Sequence, residues 1–90
     1  MKAVITVVGK DSVGILAKVS AKCAEYNVNI AEVSQTILHG MFCMIMIGEV
    51  DSLKGSFGDF ADALSAYGKE MNLKISVMHE DILTRCTKFR

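Results

Sequence analysis

The chain has no surplus of charge, since ten Lys and Arg stand against ten Asp and Glu. Neutrality removes the counterion-release contribution that dominates affinity for nucleic acid, and it gives no pull toward an anionic membrane, so neither is an expected partner. Cysteine is scarce and scattered: Cys23, Cys43 and Cys86 form an odd set with no C-x-x-C pair. That pattern argues against a disulfide framework and against a zinc site, and it suits reduced thiols in a cytosol. No apolar run approaches the ~20 residues of a membrane span, and the run after Met1 and Lys2 is too short for a signal h-region. The expectation is a soluble, cytoplasmic protein of one domain, because a second domain does not fit in 90 residues.

What is present is a periodic pattern that changes from two to 3.6 and back. Ala3 to Val8 is rich in β-branched residues and stops at Gly9, which predicts a short buried strand. Ile15, Val19, Cys23 and Tyr26 then recur at helical spacing, with Lys18, Lys22 and Glu25 on the other side. Asp11 or Ser12 is placed to cap that helix, and Asn27, which tolerates left-handed backbone, to end it. Val28 to Leu38 alternates Ile30, Glu32, Ser34 and Thr36 against Ala31, Val33, Gln35 and Ile37, as expected of an edge strand with one wetter face. His39-Gly40 turns the chain into Met41 to Ile47, apolar without alternation, which predicts a central strand covered on both faces. Phe57, Phe60, Leu64, Tyr67 and Met71 mark a second helix, and Leu73 to His79 alternates as a fourth strand. Residues 81–90 carry apolar Ile82, Leu83, Cys86 and Phe89 with bases toward their end, which favours a short C-terminal helix.

The order βαββαβ predicts an α+β, ferredoxin-like sandwich: a four-stranded antiparallel sheet in the order 4-1-3-2 with two helices on one face. The first and third strands are apolar on both sides, so the second face of the sheet needs a cover. The tail, rising ~1.5 Å per residue, reaches across only part of it, and a homodimer is the expected assembly.

The segment from Val8 to Leu16 is a strand-to-helix turn whose backbone N–H groups face whatever lies beside it. A helix N-terminus carries roughly half a positive charge, and a glycine lets a ligand approach the backbone, so this turn is the candidate cradle for an anionic group. Elsewhere the chemistry is thin. His39 and His79 stand at no useful ligand spacing from Cys43 and Cys86, so neither a metal site nor a Cys-His nucleophile is expected. Met41, Met44 and Met46 read as core or seam filling, and no convergent acid, base or nucleophile set suggests an enzyme or a cofactor.

The turn Gly9-x-Asp11-x-x-Gly14-Ile15-Leu16, set between first strand and first helix in a βαββαβ chain, resembles that of an ACT domain over residues 1–80. The family's turn commonly reads G-x-D-x-P-G-[IL]-[IL], and Val13 stands here where proline is usual. The closing His79-Glu80-Asp81-Ile82 is similar to that of small bacterial and archaeal proteins made of a single ACT domain and a short tail, here 81–90. The resemblance implies a regulatory module that binds an amino acid or other small ligand at an interface between paired domains. It implies that the ligand lies against residues 11–15, Asp11, Ser12, Val13, Gly14 and Ile15. The N–H groups of Val13, Gly14 and Ile15 would donate to its carboxylate, and Asp11 or an asparagine of a neighbouring subunit would hold its ammonium. Asn27 and Asn29 are the candidates for that last role. A regulated enzyme or regulator protein would be the further partner. RNA-recognition domains share the strand order, but here only Phe42 could serve as a stacking aromatic and the basic charge is missing. Ferredoxin-like metallochaperones place C-x-x-C in the first loop and small phosphatases an arginine, where this chain has Lys10 alone. The competing reading is a constitutive protein-interaction module that holds no ligand.

Overall fold

In the computed structural model, residues 1–10 and 12–80 are described; Asp11 and the helix expected within 81–90 lie outside them. The elements are β1 (Lys2–Lys10), α1 (Ile15–Glu25), β2 (Asn29–Leu38), β3 (Met41–Glu49), α2 (Phe57–Glu70) and β4 (Leu73–His79). They form one antiparallel sheet in the order β2-β3-β1-β4, the expected 4-1-3-2 arrangement.

The core lies between the sheet and its helices. Ala3, Ile5 and Val7 of β1 and Phe42, Met44 and Met46 of β3 meet Ile15, Val19 and Cys23 of α1 and Phe60 and Leu64 of α2. Register explains this sorting, because Val7 pairs with Met44 and Ile5 with Met46, so their side chains share a face. The hairpin between β2 and β3 turns on His39 and Gly40, both at positive φ (53° and 78°), the geometry a two-residue primed turn needs.

The two helices begin differently. Ser56 caps α2, its Oγ accepting from the N–H of Asp59 at 3.0 Å. The N-cap of α1 is Gly14, at φ 83° and ψ 14°, so the helix starts only at Ile15 and Ser12 is two residues too early to be its cap. The end of α1 follows expectation. Asn27 sits at φ 61°, its N–H donates to the carbonyl of Ala24, and the N–H of Val28 reaches back to that of Cys23, a Schellman closure.

Two further expectations change. In β2 the pairing jumps from Ile30 opposite Gly48 to Glu32 opposite Ile47, a bulge at Ala31. The extra residue moves Ile30 onto the same, helix-side face as Val33 and Ile37, although the sequence alternation sets it with Glu32. β3 is central but not covered on both faces by described elements: Met41 and Ile45 are 42% and 51% exposed, while Phe42, Met44 and Met46 are buried. The unbroken apolar run hid this alternation, since both faces of β3 carry hydrophobic side chains.

Candidate functional site

The turn after β1 is built by one backbone conformation. Gly14 lies in the left-handed region, and a Cβ placed there would meet nothing nearer than Lys18 Cε at 3.9 Å. Its glycine therefore serves the backbone angle and leaves open space beside the turn, rather than allowing helix and strand to pack. Close packing falls to Gly9 instead, whose would-be Cβ lies 3.1 Å from the carbonyl oxygen of Asn72. Val13, at the tip, is 94% exposed. Gly14 contributes no capping side chain and the first turn of α1 holds no acid, so the positive end of the helix faces outward beside Val13. Lys18, which the helical spacing placed simply on the outer side, folds its stem toward Gly14 and adds a cation to this end. The signal for it was present in the i to i+4 spacing from Gly14.

A second feature lies at the same end of the sheet. Gly9 pairs with Phe42, and Phe42 with Ile37, so these three residues share one level across β1, β3 and β2. There a half-open cavity of about 430 Å³ is lined by Gln35, Thr36, Ile37 and Phe42. The helices do not reach over this edge: Val33 and Ile37 point to the helix side yet are 42% and 56% exposed. Sequence reasoning missed this lining, because the cavity arises from the long-range pairing of β2 with β3.

Asn27 and Asn29 stand elsewhere within the chain. Asn29 pairs with Glu49, which pairs with Lys2, whereas the turn follows Lys10. Eight strand steps of ~3.4 Å separate the two ends by roughly 27 Å. Both amides are engaged: Asn27 Nδ2 donates to the carbonyl of Ser52 and Asn29 Nδ2 to Glu49 Oε1, each at 2.9 Å. The chain thus places Ser12, Val13, Gly14 and Ile15 at the same end of the sheet as the cavity and leaves both asparagines at the far end; Asp11 lies outside the described residues.

Among the described residues the thiols and histidines form no metal site: no group of three His, Cys, Asp or Glu side chains there could hold a metal ion, and no helix among them is long and apolar enough to cross a membrane. Burial pushes the Cys23 thiol up to about 11, while Cys43 is half-buried on the sheet face away from the helices. In a Cys86→Ser variant at pH 8, an aromatic disulfide reagent is expected to label Cys43 in the folded protein and Cys23 only after denaturation; rapid labelling of both would refute that burial. The same shift sets a sign. Below pH 9 both folded and unfolded states carry the protonated thiol, above it the unfolded chain ionises first, and stability falls from pH 9 until about 11.

Comparison with known proteins agrees with this architecture. The ACT domain family profile matches residues 2–78. A UPF0237 protein of Listeria innocua is 43% identical over 88 residues, spanning 98% of this chain and 99% of its own. The structure of an ACT domain protein from Streptococcus pneumoniae superposes with a TM-score of 0.82 at 42% identity, covering 92% of this chain and 93% of that one. A formyltetrahydrofolate deformylase from Pseudomonas syringae pv. tomato contains a similar unit, with a TM-score of 0.77 and 27% identity over 87% of this chain but 27% of the larger one.

Proposed function

The chain belongs to the ACT domain family, and from that premise we propose that it works as a small-ligand-binding regulatory homodimer, with an amino acid as ligand. Two copies join side by side through their β2 edges, and the ligand bridges the turn of one copy and the start of β2 in the other. The observation that carries this reading is the coincidence, at one end of the sheet, of the outward-facing α1 N-terminus, the Lys18 cation and the half-open cavity beside Ile37 and Phe42.

The exposed β2 edge supplies the pairing. A strand that pairs with its own copy about a two-fold axis does so antiparallel. That operation carries the partner's copies of the Asn27 and Asn29 positions from the far end of the sheet to the end where the turn lies. The ligand carboxylate receives hydrogen bonds from the N–H groups of Val13, Gly14 and Ile15, and Asp11 or an asparagine amide from the other copy takes its ammonium. Ligand binding then stabilises one arrangement of the pair, which a separate enzyme or regulator reads.

Thermal-shift and calorimetric screening against the common amino acids tests this. At least one is expected to raise Tm at millimolar concentration, and Gly14→Ala is expected to abolish that response. The variant's intrinsic cost is about 1–2 kcal/mol, from a left-handed residue that acquires a Cβ in otherwise open space. No stabilisation by any amino acid would favour the second reading, a constitutive interaction module. That alternative draws on the apolar side chains of Val8, Leu38, Met41 and Ile45, exposed on the sheet face without helices.

A further inference from the structure

The cavity beside Ile37 and Phe42 lies at the outer edge of the sheet. Pairing of β2 with β3 sets Val33, Gln35 and Ile37 on the helix side, opposite Met46, Met44 and Phe42. Phe42 is buried, whereas Ile37 and Val33 are largely exposed, because β2 is the last strand and no described strand pairs with its outer side. At about 430 Å³ the space falls within the ~300–1,000 Å³ of small-molecule sites, and none of its lining residues, Gln35, Thr36, Ile37 and Phe42, is charged.

We propose that a second copy of the chain completes this cavity with its Val33, and that the completed cavity takes an apolar amino-acid side chain. This pocket presupposes the amino-acid-binding, β2-paired homodimer and gives it a register and a class of ligand. The strand itself selects the register. Residues directly opposite each other in an antiparallel pair share a face, so a two-fold axis normal to the sheet must set one residue of β2 against its own copy. Past the Ala31 bulge, β2 is regular from Glu32 to Leu38, seven residues whose midpoint is Gln35. An axis at Gln35 uses all of them: Val33 meets Ile37 of the second copy, Ser34 meets Thr36, and Glu32 meets Leu38. Every other centre shortens the regular stretch. An axis at Glu32 opposes two carboxylates, one at Ser34 or Thr36 sets an apolar residue against Gln35, and one at Val33 or Ile37 leaves the other without an apolar partner. Only the Gln35 centre joins both apolar side chains on the helix side, with Cβ atoms about 4.5–5.5 Å apart, and so stands the second copy's Val33 against the Ile37 that lines the cavity. A charged side chain held among Val33, Ile37 and Phe42 would lose its hydration without a counter-ion in the lining, since Lys18 stands at the turn beside Gly14, where the ligand carboxylate is placed.

Two measurements test this, the first with no amino acid present. Chains carrying Val33→Cys and chains carrying Ile37→Cys, each full-length in a Cys43→Ser, Cys86→Ser background, are mixed, allowed to exchange and oxidised; opposite Cα atoms in an antiparallel pair stand about 4.5–5.5 Å apart, within disulfide range. The expected product by mass spectrometry is a 33–37 disulfide between chains, at least tenfold more abundant than 33–33 or 37–37. Dominance of either like pair, or no disulfide between chains, would overturn the register. Thermal-shift titration of the unaltered protein then reads the ligand class: at least one of valine, leucine, isoleucine and phenylalanine is expected to raise Tm, and aspartate, glutamate, lysine and arginine are not. Val33→Ser, at a position exposed in the single chain, is expected to raise the half-saturating concentration about tenfold, the order expected from removing buried methyl groups. An unchanged half-saturation would overturn the part given to Val33. A response to polar amino acids alone would overturn the pocket and leave the amino-acid-binding homodimer standing, whereas a response to none would overturn both.

Discussion

Phe60→Ala is expected to remove about 3–5 kcal/mol of stability, a large share of the 5–15 kcal/mol that holds a domain together, and to leave much of the protein unfolded near 37 °C. Phe60 is fully buried on the inner face of α2, and its ring meets that of Tyr26 with centroids 5.5 Å apart and planes tilted by 56°. Truncation opens a ring-sized cavity in the core beneath α2, beside Tyr26, and a short chain has few other apolar contacts to collapse into it. Phe57, one turn earlier, provides the contrast. It is half-buried, touching His79 edge-on with centroids 5.8 Å apart, so Phe57→Ala should cost distinctly less. Urea unfolding followed by far-UV circular dichroism measures both, and a Phe60→Ala cost no larger than that of Phe57→Ala would contradict the packing described.

Two glycines of α2 should respond to alanine with opposite signs. Alanine is favoured over glycine by up to about 1 kcal/mol in a helix, so the local environment decides the outcome. At Gly58 the nearest atom to a new Cβ is Ser56 Oγ at 3.9 Å, and Gly58→Ala is expected to raise Tm. At Gly68 the Cβ would stand 2.8 Å from the carbonyl oxygen of Leu73 and 2.8 Å from Ile75 Cγ1. The backbone oxygen cannot rotate away as a side-chain tip could, so α2 and β4 must separate, and Gly68→Ala is expected to lose about 1–3 kcal/mol despite the better propensity. Differential scanning calorimetry of the two variants decides it. Stabilisation by Gly68→Ala would mean that α2 sits farther from β4 than these distances state.

Much of this was readable in advance, and the reasons are local. The strand at Leu73 to His79, the turn at His39-Gly40 and the stop at Asn27 all depend on residue types whose backbone preferences are strong, and each appears where expected, whereas the first strand runs past the expected stop at Gly9 to Lys10. The strand order then followed from handedness and short connections. Three features resisted. Ser12 looked like a helix cap because capping chemistry is visible in sequence, whereas the left-handed conformation of Gly14, which delays the helix to Ile15, is not. β3 looked covered on both sides because composition reports hydrophobicity and not what lies above it. Gly68 was passed over within the apolar stripe of α2, since only the neighbouring strand reveals why that position lacks a side chain.

The candidate site divides along the same line. The turn was legible, being a contiguous segment with its own chemistry, while the cavity beside it was not, because Gln35, Ile37 and Phe42 meet only through pairing. Lys18 belongs between the two: its spacing from Gly14 was visible, but the inward fold of its stem depends on the space that glycine leaves.

Ala31 works as a phase slip. A strand alternates strictly, so one surplus residue exchanges inside for outside along everything that follows it. Removing Ala31 alone would set Ile30 next to Glu32, restore regular alternation, and leave Glu32, Ser34 and Thr36 on the open face with Val33 and Ile37 still toward the helical layer. The surplus residue therefore sets the side of Ile30 relative to the rim, and straightening the strand with Ala31 retained would turn one or the other away from the helices.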